Sequence, residues 1–189
     1  MSTKTAWHAF WALAALVLAS LACTINIGGP TPPAPLPTAD PAALQSLRAG
    51  WQTAIAQAQD GHVRVTVTEA QLTALLADKL AREQNAWFQQ PAVFLREGKI
   101  EIYGQVHKAN VVAPVRITLS VSVAANGQPA FHLEHADFGP LPVPSDLLEG
   151  LSTMLNEAFT GKVGPLATGI RVEEVTIEQG VMTVQGSLR

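Results

Sequence analysis

From Val111 to Val123 the chain alternates. The odd positions Val111, Ala113, Val115, Ile117, Leu119, Val121 and Val123 are apolar, while the even positions run Val112, Pro114, Arg116, Thr118, Ser120 and Ser122. Successive strand side chains point to opposite faces, so the pattern predicts one strand with a buried face and a mostly polar face. At about 3.3 Å per residue it spans about 43 Å, and a strand of that length twists. The expected architecture is therefore α+β: a long curled antiparallel sheet, polar outside, wrapped around one or two helices lying in its apolar hollow.

The flanking patterns supply the other elements. Asp40 as N-cap before Pro41 opens a helix whose stripe is Leu44, Leu47, Trp51, Ile55 and Ala58, ending at Asp60-Gly61. Val63, Val65 and Val67 alternate with Arg64 and Thr66 as a short strand. Thr68 and Gln71 stand at capping-box spacing before a helix striped by Leu72, Leu75, Leu76 and Leu80. Val93 to Arg96 turns at Glu97-Gly98 into a strand whose inner face is Ile100, Ile102, Gly104 and Val106. Asn126-Gly127 signals a hairpin after the long strand, with Phe131, Leu133 and His135 on its partner. Pro140, Pro142 and Pro144 exclude regular pairing. Ser145 then caps a third helix with a wide apolar arc, Leu147, Leu148, Leu151, Met154, Leu155, Ala158 and Phe159. A hairpin around Gln179-Gly180 closes the chain.

Composition divides the chain into three parts. Lys4 followed by the apolar run Ala6 to Ala22 is the pattern of a secretory signal, placed at residues 1–22. Leu18-Ala19-Ser20-Leu21-Ala22-Cys23 resembles a bacterial lipobox, with small Ala22 directly before the only cysteine. Such a motif implies cleavage before Cys23, acylation of its sulfur, and a lipoprotein held on the extracytoplasmic face of the cell membrane. Residues 23–40 hold Gly28, Gly29, Pro30, Pro32, Pro33, Pro35 and Pro37, and read as a linker or stalk. A single α+β domain is expected over 41–189. Removing residues 1–22 takes away only Lys4, leaving 11 basic against 15 acidic residues. With no basic stripe in that balance, a nucleic-acid partner is excluded.

The order of these segments carries a resemblance. A short strand, Thr68-Glu69-Ala70-Gln71-Leu72 opening a helix, Val93 to Gly104, the long strand, Phe138-Gly139-Pro140-Leu141-Pro142-Val143-Pro144, a helix and a closing hairpin resemble membrane-tethered bacterial proteins of the LmeA-like and YpmS-like kind. Over residues 62–189 the chain is thereby similar to the tubular lipid-binding superfamily. That resemblance implies a sheet curled around a helix and a lipid in the hollow, without assigning any contact residue. The helix over 41–59 is an addition to the pattern.

The sequence carries no catalytic set. His132-Leu133-Glu134-His135 is neither zinc motif, and His132 and His135 face opposite sides of a strand. There is no nucleophile elbow, phosphate loop or dinucleotide glycine pattern, so neither an enzyme, a metal site nor a cofactor is expected. Two readings remain. In the first, a tethered domain binds or carries lipid between Leu147, Leu148, Leu151, Met154, Leu155 and Phe159 and the strand face Val115, Ile117, Leu119 and Val121. In the second, a non-catalytic envelope scaffold with a filled core binds a protein. Trp87 and Phe88, before Pro91, are candidates for the rim of a hollow, with core packing as the competing reading.

The Ala22-Cys23 junction generates a first prediction. Mass spectrometry of the protein from its native membranes is expected to show an acylated N-terminal peptide beginning at Cys23. Finding only mature chains that retain Lys4 would exclude cleavage there.

Overall fold

The computed structural model describes residues 25–26, 28–82, 87–108, 111–140, 153 and 170–188. The first strand, β1, is the pair Ile25–Asn26, and helix α1 spans Pro41–Ala56. Asp40 caps α1 by accepting the Ala42 N–H at 2.8 Å, and Pro41 occupies the first turn, where its missing N–H costs nothing. Asp60 and Gly61, both at positive φ, reverse the chain into β2, His62–Thr68. Helix α2, Glu69–Arg82, begins at the expected capping box: Gln71 Oε1 accepts the Thr68 N–H at 3.0 Å, and Thr68 Oγ1 accepts the Gln71 N–H at 3.4 Å. Five strands follow: β3 Phe88–Arg96, β4 Lys99–Lys108, β5 Val111–Val123, β6 Pro129–Asp137 and β7 Ile170–Glu178. The last is β8, Val181–Leu188. The third helix expected over Leu147 to Phe159 lies outside the described residues.

The strands form two sheets where one was expected. In the larger, β5 is central, antiparallel to β4 along one edge and to β6 along the other, with β3 beyond β4 and β1 beside the start of β5. The smaller runs β2-β8-β7, all antiparallel. Backbone bonds stitch the two together: the Val172 N–H donates to the Gly127 carbonyl and the Gly180 N–H to the Leu95 carbonyl, each at 2.9 Å. At this junction a hairpin turn of each sheet meets a strand of the other, Gly127 against β7 and Gly180 against β3, so the ladder does not continue across it.

Strand β3 is longer than the pattern Val93 to Arg96 indicated. A bulge lies between Gln89 and Ala92, with Gln90 at φ +53° and Pro91 lacking a donor. The bulge shifts the alternation, so Phe88 before it and Val93 and Leu95 after it all enter the main core. Phe88 fills the vacancy at Gly104, where a Cβ would stand 2.5 Å from the Phe88 ring.

Helix α2 closes the outer edge of β3. Thr73, fully buried, accepts the Val93 N–H at 2.9 Å through Oγ1. Glu69 accepts the Leu95 N–H at 2.8 Å and the Arg96 guanidinium at 2.6 Å. The helix thus satisfies an edge that would otherwise invite another strand. It buries Leu72, Leu75, Leu76 and Leu80 against a core that also takes Leu47 and Trp51 from α1 and Val63, Val65 and Val67 from β2.

Thr73 offers a clean test of this closure. Thr73→Val keeps the shape but strands the buried Val93 N–H, so urea unfolding is expected to show a loss of about 1–3 kcal/mol. Thr66→Val, on the exposed face of β2, is the control and should be near neutral.

Candidate functional site

The inner face of β5 is an unbroken apolar floor. Val115 and Ile117 are 0% exposed and Leu119 1%, while Val121 is half-buried against the same core. Half-buried Leu133 and Ala136 of β6 and Val175 and Ile177 of β7 pack on that core as well. The floor therefore grades from sealed to partly open. The opposing candidates Leu147, Leu148, Leu151, Met154, Leu155 and Phe159, and Cys23 with residues 1–22, lie outside the described residues.

The two rim candidates separate. Phe88 is 1% exposed and belongs to the core, a correction to the rim reading whose cause is the bulge that turns it inward onto Gly104. Trp87 is half-buried, edge-on to Phe88 with ring centroids 6.1 Å apart. Its carbonyl accepts the His107 N–H at 2.7 Å, which fixes it beside the Val111 end of β5.

The outer face departs further from expectation. Ala92, Phe94 and Tyr103 are buried there as a second apolar cluster, Phe94 and Tyr103 meeting edge to face at 5.5 Å with the Arg96 guanidinium 5.4 Å from the Phe94 ring centre. The proline-rich stretch, read as a stalk, lies over this side. Pro30, Pro32, Leu36 and Pro37 share a groove of about 570 Å³ with Pro91, Ala92, Tyr103 and Pro114. Pro33 borders a second, charged groove of about 530 Å³ with Arg96, Lys99, Arg116 and Glu134. The sequence signal for a covered outer face was present in Phe94 and Tyr103, bulky residues at outward positions.

Arg96, Lys99 and Arg116 of the second groove each meet a carboxylate, Arg96 that of Glu69. Lys99 meets Glu134 at 2.6 Å and Arg116 meets Asp137 at 3.5 Å. The hydrogen bond between Lys99 and Glu134 holds the lysine above and the glutamate below its ordinary range. His132 lies 2.9 Å from Ser122 Oγ. The irregularity between Thr118 and Leu119 absorbs Glu134, so His132 and His135, expected on opposite sides of the strand, stand opposite Ser120 and Thr118 on the same face. His132 is engaged by Ser122 and Glu134 by Lys99. Among the described residues no three His, Cys, Asp or Glu side chains are grouped to hold a metal ion.

Residues 38–187 match the LmeA-like phospholipid-binding family. The chain belongs to that family. The match begins ahead of α1 and ends in β8, so the first helix is part of the family's span and not an addition to it. No curated protein and no solved structure matches the chain.

Tyr103, the only tyrosine, reports on the covered outer face. Burial pushes its phenol above the ordinary value of 10.0; a hydrogen bond from Arg116 opposes this and the Glu101 carboxylate adds to it. A raised folded-state pKa contributes stability that is whole below the unfolded value and is lost as pH rises through the folded one. Titration of the phenolate absorbance is expected to have its midpoint above that of free tyrosine, and Gly139→Val, which unseats the proline-rich stretch, should bring it down. A midpoint at the ordinary value in the native fold would mean that Tyr103 is solvated.

Proposed function

We propose that this is a membrane-anchored lipoprotein whose extracytoplasmic domain holds a phospholipid acyl chain between the inner face of β5 and the apolar segment Leu147 to Phe159. Cys23 is the anchored residue. The observation that carries the reading is the family match to phospholipid-binding proteins over α1 through β8, joined to the apolar floor of Val115, Ile117, Leu119 and Val121. In this reading the two sheets curl around the helices, a bend favoured by the bulges in β3 and between β5 and β6. Half-buried Val121, Leu133 and Ile177 then border the opening of the hollow.

The energetics suit such a ligand. Each buried methylene is worth about 0.8 kcal/mol, so ten chain carbons supply roughly 8 kcal/mol before the costs of association. No charged partner inside the hollow is needed for that part of the affinity. The ion pairs described lie on the outer face and at the α2 edge, away from the apolar floor.

Detergent-free purification followed by organic extraction and native mass spectrometry is expected to find phospholipid bound to the protein. Leu151→Trp, by filling the hollow, should lower the bound lipid severalfold while leaving the circular dichroism of the fold intact. A folded protein that carries no lipid and takes none from vesicles would instead support the scaffold with a filled core.

A further inference from the structure

The earliest described residues are fastened to one end of the larger sheet. Ile25 and Asn26 run parallel to Val111 and Val112, the opening residues of β5. Gly29 then passes through a slot that excludes a side chain. A Cβ on Gly29 would stand 2.9 Å from both Pro114 Cγ and the Pro114 carbonyl oxygen. Gly139, at φ +65°, has no room for one against the Gly28 carbonyl. Beyond the slot, Pro30 to Ala39 borders the grooves of the outer face and leads to the Asp40 cap.

This route changes what the proline-rich stretch does as a tether. Free and extended, residues 24–40 would reach roughly 50 Å and let the domain take any orientation. Laid on the sheet, the stretch contributes none of that reach. Only Thr24 separates Cys23 from Ile25, two residue steps and at most about 7 Å of extended chain. The same sheet end carries His107, opposite Val112, and Trp87, whose carbonyl holds the His107 N–H. A half-buried indole suits the boundary between acyl chains and water.

We propose that this end of the sheet, formed by Ile25–Asn26, His107, Val111–Val112 and Trp87, rests on the bilayer surface, held there by the docked proline-rich strap. The inference depends on Cys23 being the anchored residue. It adds a fixed orientation: the turns at Glu97-Gly98, Asn126-Gly127 and Gln179-Gly180 point away from the membrane, and Trp87 enters the interface.

The test uses vesicles of phosphatidylcholine and phosphatidylglycerol with brominated acyl chains. The full chain from native membranes is reconstituted with Trp7, Trp11 and Trp51 replaced by Phe, leaving Trp87 as the only indole. Flotation with the vesicles reads the anchor separately. If the native chain does not float, that reading fails, and coupling Cys23 to a maleimide-bearing phospholipid supplies the tether so that orientation is still measured. Bromine is expected to quench Trp87 but not a single indole at Asn126→Trp in a Trp87→Phe background. Gly139→Val, which releases the strap, should reduce the quenching of Trp87. As a measurement on the unsubstituted chain, backbone hydrogen exchange over residues 107–112 should slow on vesicles relative to detergent solution. Vesicle-bound chains whose Trp87 is unquenched, or no more quenched than the Asn126 reporter, or whose exchange over 107–112 is unchanged, would overturn the proposal.

Discussion

The arrangement of the whole domain depends on how the free edge of β3 is closed. A strand edge presents N–H groups at alternate residues, and here Pro91 has none, Val93 gives its proton to Thr73 and Leu95 to Glu69. Both acceptors stand on α2, four residues apart, on one face of the helix. This fixes the helix in register with the strand as well as in position. The first turn of α2 is at the same time the capping box that ends β2. One helix therefore ties the larger sheet to the smaller, and the Val172–Gly127 and Gly180–Leu95 backbone bonds complete the joint. Without those acceptors, two donors would be buried unpaired, and each such loss is comparable to a sizeable part of a domain's net stability.

With that joint fixed, β5 has two different faces to offer. Its inward residues are sealed at Val115, Ile117 and Leu119 and loosen at Val121. Its outward residues take part in a covered surface: Pro114 meets the strap, Arg116 lies beside Tyr103, and Thr118 borders the charged groove. An antiparallel sheet usually leaves one face to water. Here part of the second face is occupied by the chain's own N-terminal stretch, so the apolar floor and the proline-rich strap lie on opposite sides of one sheet.

Much of this was legible because it is local. The Asp40-Pro41 cap, the Thr68–Gln71 box, the Asn126-Gly127 turn and the alternation of Val111 to Val123 each act within a few residues, and each takes the form its residues imply. The features that were not legible depend on distant partners. Phe88 reads as a loop aromatic until the bulge at Gln90 reverses the parity of β3 and Gly104, sixteen residues on, opens a place for its ring. The division into two sheets depends on which strand each hairpin turn meets, a choice that alternation within a strand does not encode. The two faces of the sheet show the same divide: the apolar floor of β5 follows from periodicity, whereas the strap depends on Gly29, Pro114 and Gly139, which are far apart in the chain.

The strap also shows why proline content alone is a poor guide to whether a segment is free. Prolines deny a segment regular pairing and leave it little to bury, which argues for a solvated stalk. The same ring that restricts φ also reduces the conformational freedom lost on docking, so a modest contact suffices to hold the segment. Pro91, Ala92, Tyr103 and Pro114 border the groove it lies along, and the absence of side chains at Gly29 and Gly139 lets the backbone approach close enough to reach it. Stiffness, which would have made a long spacer, here makes an inexpensive brace.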